Sequence, residues 1–386
     1  MLRLRLPGGR LPAAALGAIS AASTRYADGD VHLTSRANLQ LRGVATTAGG
    51  SVDSRLVEEV VAAGFLPQPT HERVRNIVCS PLTGLSGGLS DLRPLTRLLD
   101  EMLCAKADLA DLPGPFLFVL DDGRGDVAGL KADLGVCAVG AAGVRLRVGS
   151  LLLEPVMTPD AAAGVLIELA GRFLPFTRGS RPVWHVRELP QGGRELFPQS
   201  WQVAPSQMET RQSAPFGPLT QHDGTIVLSA LVPLGVLNTD QVRVLVAAAG
   251  FGNGELIVTP WRGVLVPALP QVQLGELTGP FLDAGLELDD DPAWRGITAC
   301  TGAPRCAHGE GPTRPLAMAI HELVRSRAGS LAVPVHVVGC ARRCGSPTTQ
   351  HIEVLTTGTR VEVRRDGVVA PLAASDVPAA VVGSVR

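Results

Sequence analysis

Four cysteines near the C-terminal end have the residue type and the spacing to bind a metal centre. Cys300 and Cys306 form one pair with five residues between them, and Cys340 and Cys344 form a second pair with three. Gly and Pro surround both pairs, which favours tight turns with room for a bulky ligand. Four thiolates on two loops can hold a 4Fe-4S cluster. A structural zinc site and unrelated free thiols are the alternatives, although zinc favours spacings of about two to four residues.

A second group of polar residues lies near the N-terminus. Its donors are Thr34, Arg36, Asn38, Gln40 and Arg42. Apolar residues alternate with polar ones between Val31 and Leu41, which predicts short strands around a turn. On a strand and a turn, such side chains can converge on carboxylates through charge-assisted hydrogen bonds. The alternative is a solvated polar edge of a sheet.

The composition describes a globular protein with enough apolar material for a core. Of 386 residues, 45% are hydrophobic and 18% charged, with a net charge of −1, which predicts two or three domains. Balanced charge and few aromatic residues argue against a nucleic-acid partner. No apolar run reaches the roughly 18 residues of a transmembrane helix. Seven cysteines, an odd number, fit a reducing compartment, so we expect a cytoplasmic protein without a membrane partner.

The two halves of the chain repeat each other. Ala63-Gly64-Phe65 matches Ala284-Gly285-Leu286, and Thr34 matches Thr259 in a similar strand context. A duplicated strand and helix layout predicts two similar lobes related by a pseudo-two-fold axis. Between the halves, residues 172–222 are rich in Pro, Gly, Gln and Arg, which predicts a linker. Only the second copy has the cysteine pairs.

Several elements can be predicted from caps and periodicity. We expect helices from Pro12, from Ser51 as a cap, from about Asp91 and after the cap Asn238. The sequence Arg364-Arg365-Asp366-Gly367 predicts a hairpin turn, followed by a mobile tail. Cys79, Cys104 and Cys137 lack ligand spacing and are predicted to be small buried residues.

The cysteine pattern resembles the cluster motif of the sirohaem-dependent nitrite/sulfite reductase superfamily, which also contains precorrin-3B synthase. Thr34-Ser-Arg36-Ala37-Asn38-Leu-Gln40 is similar to the superfamily's Thr-Thr-Arg-Gln-x-x-Gln motif, with Ala37 in place of the first Gln. Arg75-Asn76, followed by Pro81-Leu82-Thr-Gly84, is similar to its Arg-Asn-x-x-x-x-Pro-Leu-Ala-Gly motif. The resemblance runs from the first strand to about residue 360.

This resemblance implies an α+β fold with duplicated ferredoxin-like half domains and two α/β lobes, one of which carries the iron–sulfur cluster. The implied domains are a first ferredoxin-like half domain, a first α/β lobe, a linker, a second half domain and a cluster-bearing lobe, at 1–70, 71–171, 172–222, 223–290 and 291–386.

One departure separates the subfamilies. The reductases carry two active-site lysines in a Leu-Pro-Arg-Lys-Phe-Lys pattern, where this chain has Leu112-Pro113-Gly114-Pro115-Phe116-Leu117. Reduction of an oxyanion by six electrons without those cations lacks electrostatic support. The stretch from Thr34 to Gly43 and Thr259-Pro260-Trp261-Arg262-Gly263 both resemble precorrin-3B synthase instead.

Precorrin-3B synthase is therefore the first interpretation. The resemblance implies an oxygen-dependent monooxygenase of cobalamin biosynthesis that hydroxylates precorrin-3A with lactone formation. The implied carboxylate-binding residues are Arg36, Asn38, Gln40, Arg42, Arg75, Asn76 and Arg262. The implied ligands of the 4Fe-4S cluster are Cys300, Cys306, Cys340 and Cys344. The resemblance also implies a mononuclear non-haem iron, whose ligands are not assigned. Dioxygen is the expected co-substrate, and NADH is the expected electron source, acting through a separate reductase.

A sirohaem-dependent sulfite or nitrite reductase is the second interpretation, and sirohaem is expected only in that case. A non-catalytic iron–sulfur electron carrier or a zinc-stapled binding module is the third.

Overall fold

The computed structural model describes residues 1–46, 51–178, 181–205, 210, 215–289, 294, 296–327, 331–347, 349–358 and 360–382. The helices are α1 (Ala13–Tyr26), α2 (Ser54–Ala62), α3 (Arg93–Ala105), α4 (Pro159–Thr177), α5 (Thr239–Ala249), α6 (Leu274–Asp283), α7 (Arg314–Ser326) and α8 (Val377–Val382), within those residues.

The strands of the first half are β1 (Leu2–Leu4), β2 (Arg10–Pro12), β3 (Val31–Leu33), β4 (Leu39–Leu41), β5 (Ile77–Cys79), β6 (Phe118–Asp121), β7 (Leu134–Gly140), β8 (Gly143–Val148) and β9 (Leu151–Met157). Those of the second half are β10 (Gly217–Thr220), β11 (Ile226–Leu231), β12 (Val236–Leu237), β13 (Glu255–Val258), β14 (Gly263–Leu269), β15 (Ile297–Ala299), β16 (Val335–Val338), β17 (Ile352–Thr357), β18 (Arg360–Arg365) and β19 (Val368–Leu372).

Two antiparallel sheets form the centre and exchange a strand. The first has the order β1-β4-β3-β12, so β12 of the second half completes a sheet of the first half. The second has the order β10-β11-β14-β13-β2, so β2 of the first half completes a sheet of the second. Helices α1, α2, α5 and α6 contribute to one hydrophobic core with both sheets. The exchange makes the two half domains one packed unit.

The helices of this unit follow their caps and apolar spacing. Asp53 accepts a hydrogen bond from Arg55 N at the start of α2, and Leu56 and Val60 bury the i, i+4 face. The predicted cap Ser51 is therefore wrong, because a closer carboxylate takes that role. The predicted cap Asn238 is confirmed, since it forms a capping box with Gln241.

Two further sheets have the same plan. One has the order β5-β6-β7-β8-β9 and the other β15-β16-β17-β18-β19. In each, the first three strands are parallel and the later pairings antiparallel. Helix α3 connects β5 to β6 as α7 connects β15 to β16, in the crossover that parallel strands require. These α/β lobes confirm the predicted duplication.

The segment predicted as a linker, 172–222, is structured at both ends. Helix α4 continues to Thr177, and Gly217 begins β10. Between them, Val186, Leu196 and Phe197 are buried in the core of the first lobe. The low periodicity of this segment misled the prediction, because irregular chain can still bury single apolar residues. The domain boundaries themselves stay predictions.

The C-terminal prediction is confirmed in part. Asp366 and Gly367 both have positive φ and connect β18 to β19, as the hairpin prediction requires. The predicted mobile tail instead contains α8, whose Val377 and Val381 are buried in the core of the second lobe. The last four positions of that tail, 383–386, lie outside the described residues.

Candidate functional site

The first central sheet has one apolar face and one polar face. Leu2, Leu4, Leu39 and Leu41 pair across β1 and β4 and point into the core. Because side chains alternate along a strand, the intervening residues point the other way. Arg3 pairs with Gln40, and Gln40 pairs with His32, so these three form a row on the polar face. Arg42 lies two residues beyond Gln40 on the same side.

A tight turn between β3 and β4 presents Arg36. Thr34 N donates to Asn38 O at 2.9 Å, and Ala37 has a φ of +54°. Thr34 Oγ1 accepts hydrogen bonds from Arg36 N at 3.3 Å and Asn38 N at 3.1 Å. The turn therefore holds the Arg36 backbone, while its guanidinium has no hydrogen-bond partner among the described residues.

A cleft of about 780 Å³ lies over this polar face. It is lined by four arginines and includes Gln40, Glu72, Gly114 and Pro115; the arginines are Arg3, Arg5, Arg36 and Arg73. We name it the arginine cleft. Burial, with Arg3 nearby, lowers the pKa of Arg5 to about 10, and burial also lowers the pKa of Arg36. Both stay charged at neutral pH, so the cleft is suited to anionic ligands.

Two predicted binding residues have internal partners instead. Arg75 makes two hydrogen bonds to Asp100, each 2.8 Å, and one to Glu72 at 3.0 Å. Burial opposes its charge, but these carboxylates prevail and raise the pKa of Arg75. Asn76 accepts from Arg5 and donates to Gly114 O. The structure thus places Arg75 and Asn76 as supports of the cleft, and their expected contact with substrate stays a prediction.

Asn38 and Gln40 both line the arginine cleft, but only the Asn38 side chain has a hydrogen-bond partner among the described residues. Asn38 Oδ1 accepts from Leu6 N at 2.8 Å, which fixes the turn to the chain after β1. The Gln40 side chain has no hydrogen-bond partner among the residues that the structure describes, and it is buried within the cleft wall. Of the predicted donors at this face, Arg36 and Gln40 are free to meet a ligand.

A smaller cavity of about 120 Å³ lies beside the cysteines. Its wall contains Arg42, Arg262, Arg314, His32, Cys300 and Cys344. We name it the cysteine-side cavity. Burial lowers the pKa of Arg262 and of Arg314, and the Nε atom of Arg42 is buried without a partner in the described part of the chain. The structure therefore brings the predicted residues Arg42 and Arg262 together.

Sequence reasoning missed Arg314. It is the first residue of α7, and no acidic residue lies in that first turn. A cation at a helix N-terminus opposes the helix dipole, so its position there was the available signal. Arg314 Nη1 donates to Asp30 at 2.8 Å, and its Nη2 lies 3.5 Å from His32 Nδ1.

The cysteine loops follow adjacent parallel strands. Cys300 follows β15 directly, and Cys340 lies two residues after β16, so both stand at the carboxyl edge of the sheet. A Cβ at Gly339 would lie 3.0 Å from Gly302 Cα, which shows how closely the loops approach. Gly339 N donates to Cys300 Sγ at 3.2 Å, and burial raises the pKa of Cys300.

The four thiols suit an iron–sulfur cluster better than zinc. All are free, and exposure rises from buried Cys340 through half-buried Cys300 and Cys306 to exposed Cys344. Among the described residues, no three of these sulfurs lie within 4.8 Å of one another. Zinc with Zn–S bonds of about 2.3 Å would need sulfurs about 3.8 Å apart. Four free thiols on two facing loops are the donor set that a 4Fe-4S cluster uses.

A neutral histidine supports the second cysteine loop. His336 lies 3.1 Å from Cys344 O through Nε2 and 2.7 Å from Thr298 Oγ1 through Nδ1. Burial lowers its pKa to about 4, so the ring is uncharged at neutral pH. Its Nε2–H can then donate to the carbonyl and hold the loop.

Asp28, Asp30 and His32 form a compact buried group whose ligand atoms lie within 4.8 Å of one another. His32 Nε2 lies 2.8 Å from Asp28, and Asp30 is paired with both Arg305 and Arg314. Both guanidinium groups pair with Asp30, and Asp28 pairs with His32, so all three side chains have partners within the protein. The arrangement is an ion network that joins β3 to the first cysteine loop.

Of the three cysteines without ligand spacing, Cys79 is buried as predicted, and burial raises its pKa to about 12. Cys104 and Cys137 are half-buried. Among the described residues, no helix is long and apolar enough to cross a membrane.

Comparison with known proteins agrees with this architecture. The nitrite/sulfite reductase ferredoxin-like half domain matches residues 1–58 and 219–278, which are the two central repeats. The match places both repeats in the same class of half domain and leaves the two α/β lobes outside it. It is 27% identical over 408 residues to the ferredoxin–nitrite reductase of Synechococcus elongatus, covering 95% of this chain and 77% of that protein.

Further relatives match nearly the whole chain. The ferredoxin-dependent sulfite reductase of Mycobacterium tuberculosis is 24% identical, covering 95% of this chain and 70% of the relative. The solved structure of the Mycobacterium tuberculosis NirA protein aligns with a TM-score of 0.73 at 19% identity, covering 98% of this chain and 78% of that one. The predicted fold class is thereby confirmed. The relatives' names support a reductase, the second interpretation, better than precorrin-3B synthase.

Proposed function

We propose that this chain is a precorrin-3B synthase, an oxygen-dependent monooxygenase that acts on precorrin-3A. The observation that carries the proposal is the wall of the arginine cleft. Pro115 lines it where the resemblance places the first active-site lysine of the reductases, and Gly114 lines it where the resemblance places the preceding arginine. The second lysine position is Leu117. The next two residues, Phe116 and Leu117, are buried in apolar cores and offer no charge to the cleft.

The chemistry of the cleft favours carboxylate binding over oxyanion reduction. Arginine is suited to carboxylates because its planar fork makes two parallel hydrogen bonds. Reduction of sulfite or nitrite also requires protons at the bound oxyanion, and a guanidinium holds its proton too tightly to supply them. Both lysines of the chain, Lys106 and Lys131, are exposed and lie outside the lining of the arginine cleft.

The residues divide into two groups around the proposed substrate. Arg36 and Gln40 bind carboxylates on the side of the arginine cleft, and Arg42, Arg262 and Arg314 bind them beside the cysteines. Cys300, Cys306, Cys340 and Cys344 would hold the 4Fe-4S cluster, which supplies single electrons when bound. One oxygen atom of dioxygen enters the product, and the other leaves as water with two electrons and two protons. NADH is the proposed electron source, through a separate reductase.

A sirohaem-dependent sulfite or nitrite reductase is the second candidate. The relatives carry these names, and they match more than nine-tenths of the chain. In that case the same arginines would bind the carboxylates of sirohaem, and the four cysteines would hold the same cluster. The two candidates differ in the chemistry done at Gly114 and Pro115, where one needs cations and the other does not.

The test supplies the purified protein, reconstituted with iron and sulfide, with precorrin-3A, an electron donor and labelled dioxygen. We expect oxygen uptake and a product that carries one labelled oxygen atom. A parallel reaction with sirohaem, sulfite or nitrite and the same donor should yield neither sulfide nor ammonia. Sulfide or ammonia formed at enzymatic rates would overturn the proposal in favour of the reductase.

A further inference from the structure

A pocket of about 250 Å³ with largely apolar walls lies between the turn after β13 and the start of β15. Its lining includes Phe216, Leu231, Trp261, Trp294 and Ile297. We name it the indole pocket. The Nε1 atoms of Trp261 and Trp294 are both closed off from solvent. The two indole rings can therefore offer the pocket only carbon atoms.

Backbone polar groups in this wall bond to one another rather than to the pocket. Leu231 N donates to Glu287 O at 2.8 Å, and Leu231 O accepts from Glu287 N at 3.1 Å. Val232 N donates to Arg262 O at 3.1 Å, and Arg262 N donates to Thr259 O at 3.2 Å. These groups have their partners within the protein, so the wall gains nothing from a polar ligand at these positions.

The indole pocket is poorly suited to hold ordered water. Its lining includes Thr298, whose Oγ1 lies 2.7 Å from His336 Nδ1 and is engaged there. An ordered buried water makes about two to four hydrogen bonds, and small apolar cavities stay dry and bind apolar molecules. The pocket is therefore suited to a small ligand that needs no hydrogen bonds.

The indole pocket adjoins the cysteine-side cavity. Leu234 and Arg262 line both spaces. A Cβ at Gly235 would lie 2.8 Å from Arg262 Cδ, so the aliphatic stem of Arg262 packs directly on the backbone next to Leu234. A molecule in the indole pocket is thus separated from the space beside the cysteines by these two side chains.

We infer that the indole pocket holds dioxygen beside the tetrapyrrole site. The inference rests on the proposed function, which consumes dioxygen and has assigned it no place in the protein. Dioxygen is small, uncharged and apolar, so its transfer from water into an apolar space is favourable. At about 250 Å³ the pocket is smaller than the roughly 300–1,000 Å³ that enclose a drug-sized ligand, which excludes the macrocycle itself.

The four tryptophans of the chain provide the first test. Trp184→Phe and Trp201→Phe together leave Trp261 and Trp294, in the wall of the pocket, as the only indole fluorophores. The reconstituted protein in this background is titrated with dioxygen and, separately, with acrylamide, a neutral polar quencher. We expect strong quenching by dioxygen and weak quenching by acrylamide. Equal quenching by both would show that the pocket is filled with water and would overturn the inference.

Larger side chains in the wall provide the second test. Leu231→Phe and Ile297→Phe should each remove most of the quenching by dioxygen, because they fill the pocket. Leu316→Phe is the matched control, since Leu316 belongs to the same core and is 9% exposed, as Leu231 is, but lies outside the described lining of the pocket. Denaturant titration checks the folding of all three, and Leu231→Ala, which enlarges the pocket, should keep the quenching.

Oxygen uptake with precorrin-3A and an electron donor links the pocket to the reaction. We expect the two filling variants to raise KM for dioxygen about fivefold at unchanged kcat, since a two-atom ligand gains little binding energy. Uroporphyrin III, a porphyrin with acetate and propionate arms, is the control ligand, and its affinity should not change. An unchanged KM in variants that still consume dioxygen would overturn the inference while the proposed function stands.

The converse result is also distinguishable. If the wild-type protein consumed no dioxygen with precorrin-3A, yet the filling variants abolished the quenching, the proposed function and the part of the pocket in it would both be overturned. The pocket would then remain a site for small apolar molecules.

Discussion

The two α/β lobes have the same sheet plan but use their strand ends differently. In the first lobe, Ser80 follows β5, and its Oγ donates to Asp126 at 2.7 Å. Asp122 follows β6 and pairs with Arg124 at 2.9 Å. In the second lobe, Cys300 and Cys340 stand at the corresponding strand ends and remain free thiols. In the first lobe these positions form internal hydrogen bonds and ion pairs, and in the second lobe they hold the proposed cluster ligands.

The two turns of the central sheets also share a backbone geometry and differ in their side chains. Thr34 N donates to Asn38 O and Thr259 N donates to Gly263 O, each at 2.9 Å, and positive φ occurs at Ala37 and Arg262. The backbone is repeated, yet the first turn presents Arg36 and the second presents Trp261. The two copies share a backbone frame, and their different side chains give each turn a different surface chemistry.

The largest expected effect is a loss of iron on mutation in the second lobe that mutation in the first lobe does not cause. Cys340→Ala should lose the iron and sulfide of the reconstituted protein and unfold most of the second lobe, because ligation and folding are coupled. Cys104→Ala, in the first lobe, is the control and should keep full iron. Metal and sulfide analysis decides the matter, and a Cys340→Ala protein with full iron would show that the cluster lies elsewhere.

Close packing of the cysteine loops predicts a large effect at Gly302. A Cβ there would lie 2.5 Å from Thr313 Oγ1, and the backbone has a φ of +63°. We expect Gly302→Ala to destabilise the protein by about 2–4 kcal/mol in denaturant titration. Gly358→Ala is matched in φ, at +53°, but its Cβ meets nothing within 4 Å. Equal losses in the two variants would show that backbone strain, and not loop packing, sets the cost.

Arg36 and Arg75 test the division between ligand contact and support. Arg36→Ala should weaken binding of uroporphyrin by about 1.5–3 kcal/mol without loss of stability, since its guanidinium has no partner in the described residues. Arg75→Ala should instead lower the free energy of unfolding by about 2–3 kcal/mol, because it leaves the carboxylates of Asp100 and Glu72 without their ion-pair partner.

The exposed Arg55→Ala is the control for both measurements. If Arg75→Ala lost affinity for the tetrapyrrole while its stability stayed unchanged, Arg75 would be a ligand-binding residue and not a support.

The smallest expected effect is a dependence of stability on pH, and its direction is what the experiment tests. Burial raises the pKa of Asp126 to about 7, so the folded state holds this proton more tightly than the unfolded chain. Stability should therefore fall as the pH rises from about 4 to about 7. Asp126→Asn should flatten that decline, and Asp108→Asn, at an exposed site, should leave it in place. Unfolding titrations at a series of pH values measure it, and an unchanged slope in Asp126→Asn would contradict a raised pKa.

Sequence patterns predicted the structural features that depend on residues close together in the chain. Alternation predicted β3 and β4, and the caps and turn residues predicted α5 and the hairpin between β18 and β19. The cysteine loops were found because spacing and Gly content are local properties. These features need no knowledge of which segments meet.

The misses all depend on distant partners. The pairing of Arg75 with Asp100, 25 residues away, cannot be recognised from the sequence. Arg314 was missed because its contact with Asp30 spans 284 residues. Trp294 and Trp261 likewise form one pocket only after β15 meets the second central sheet. Tertiary contact, not residue type, decided these roles.

The strand exchange between the central sheets has a consequence for synthesis of the chain. Strand β2 pairs with β13, and Arg10 of β2 binds Glu255, which lies 245 residues later. At about 5–20 residues per second, β2 must wait roughly 10–50 s after its own synthesis for its partner. During that time its edge is unpaired and open to pairing with other chains. A nascent chain of this protein is therefore an expected client of chaperones that shield exposed strands, and its two repeats, although they look like separate units, have to finish folding together.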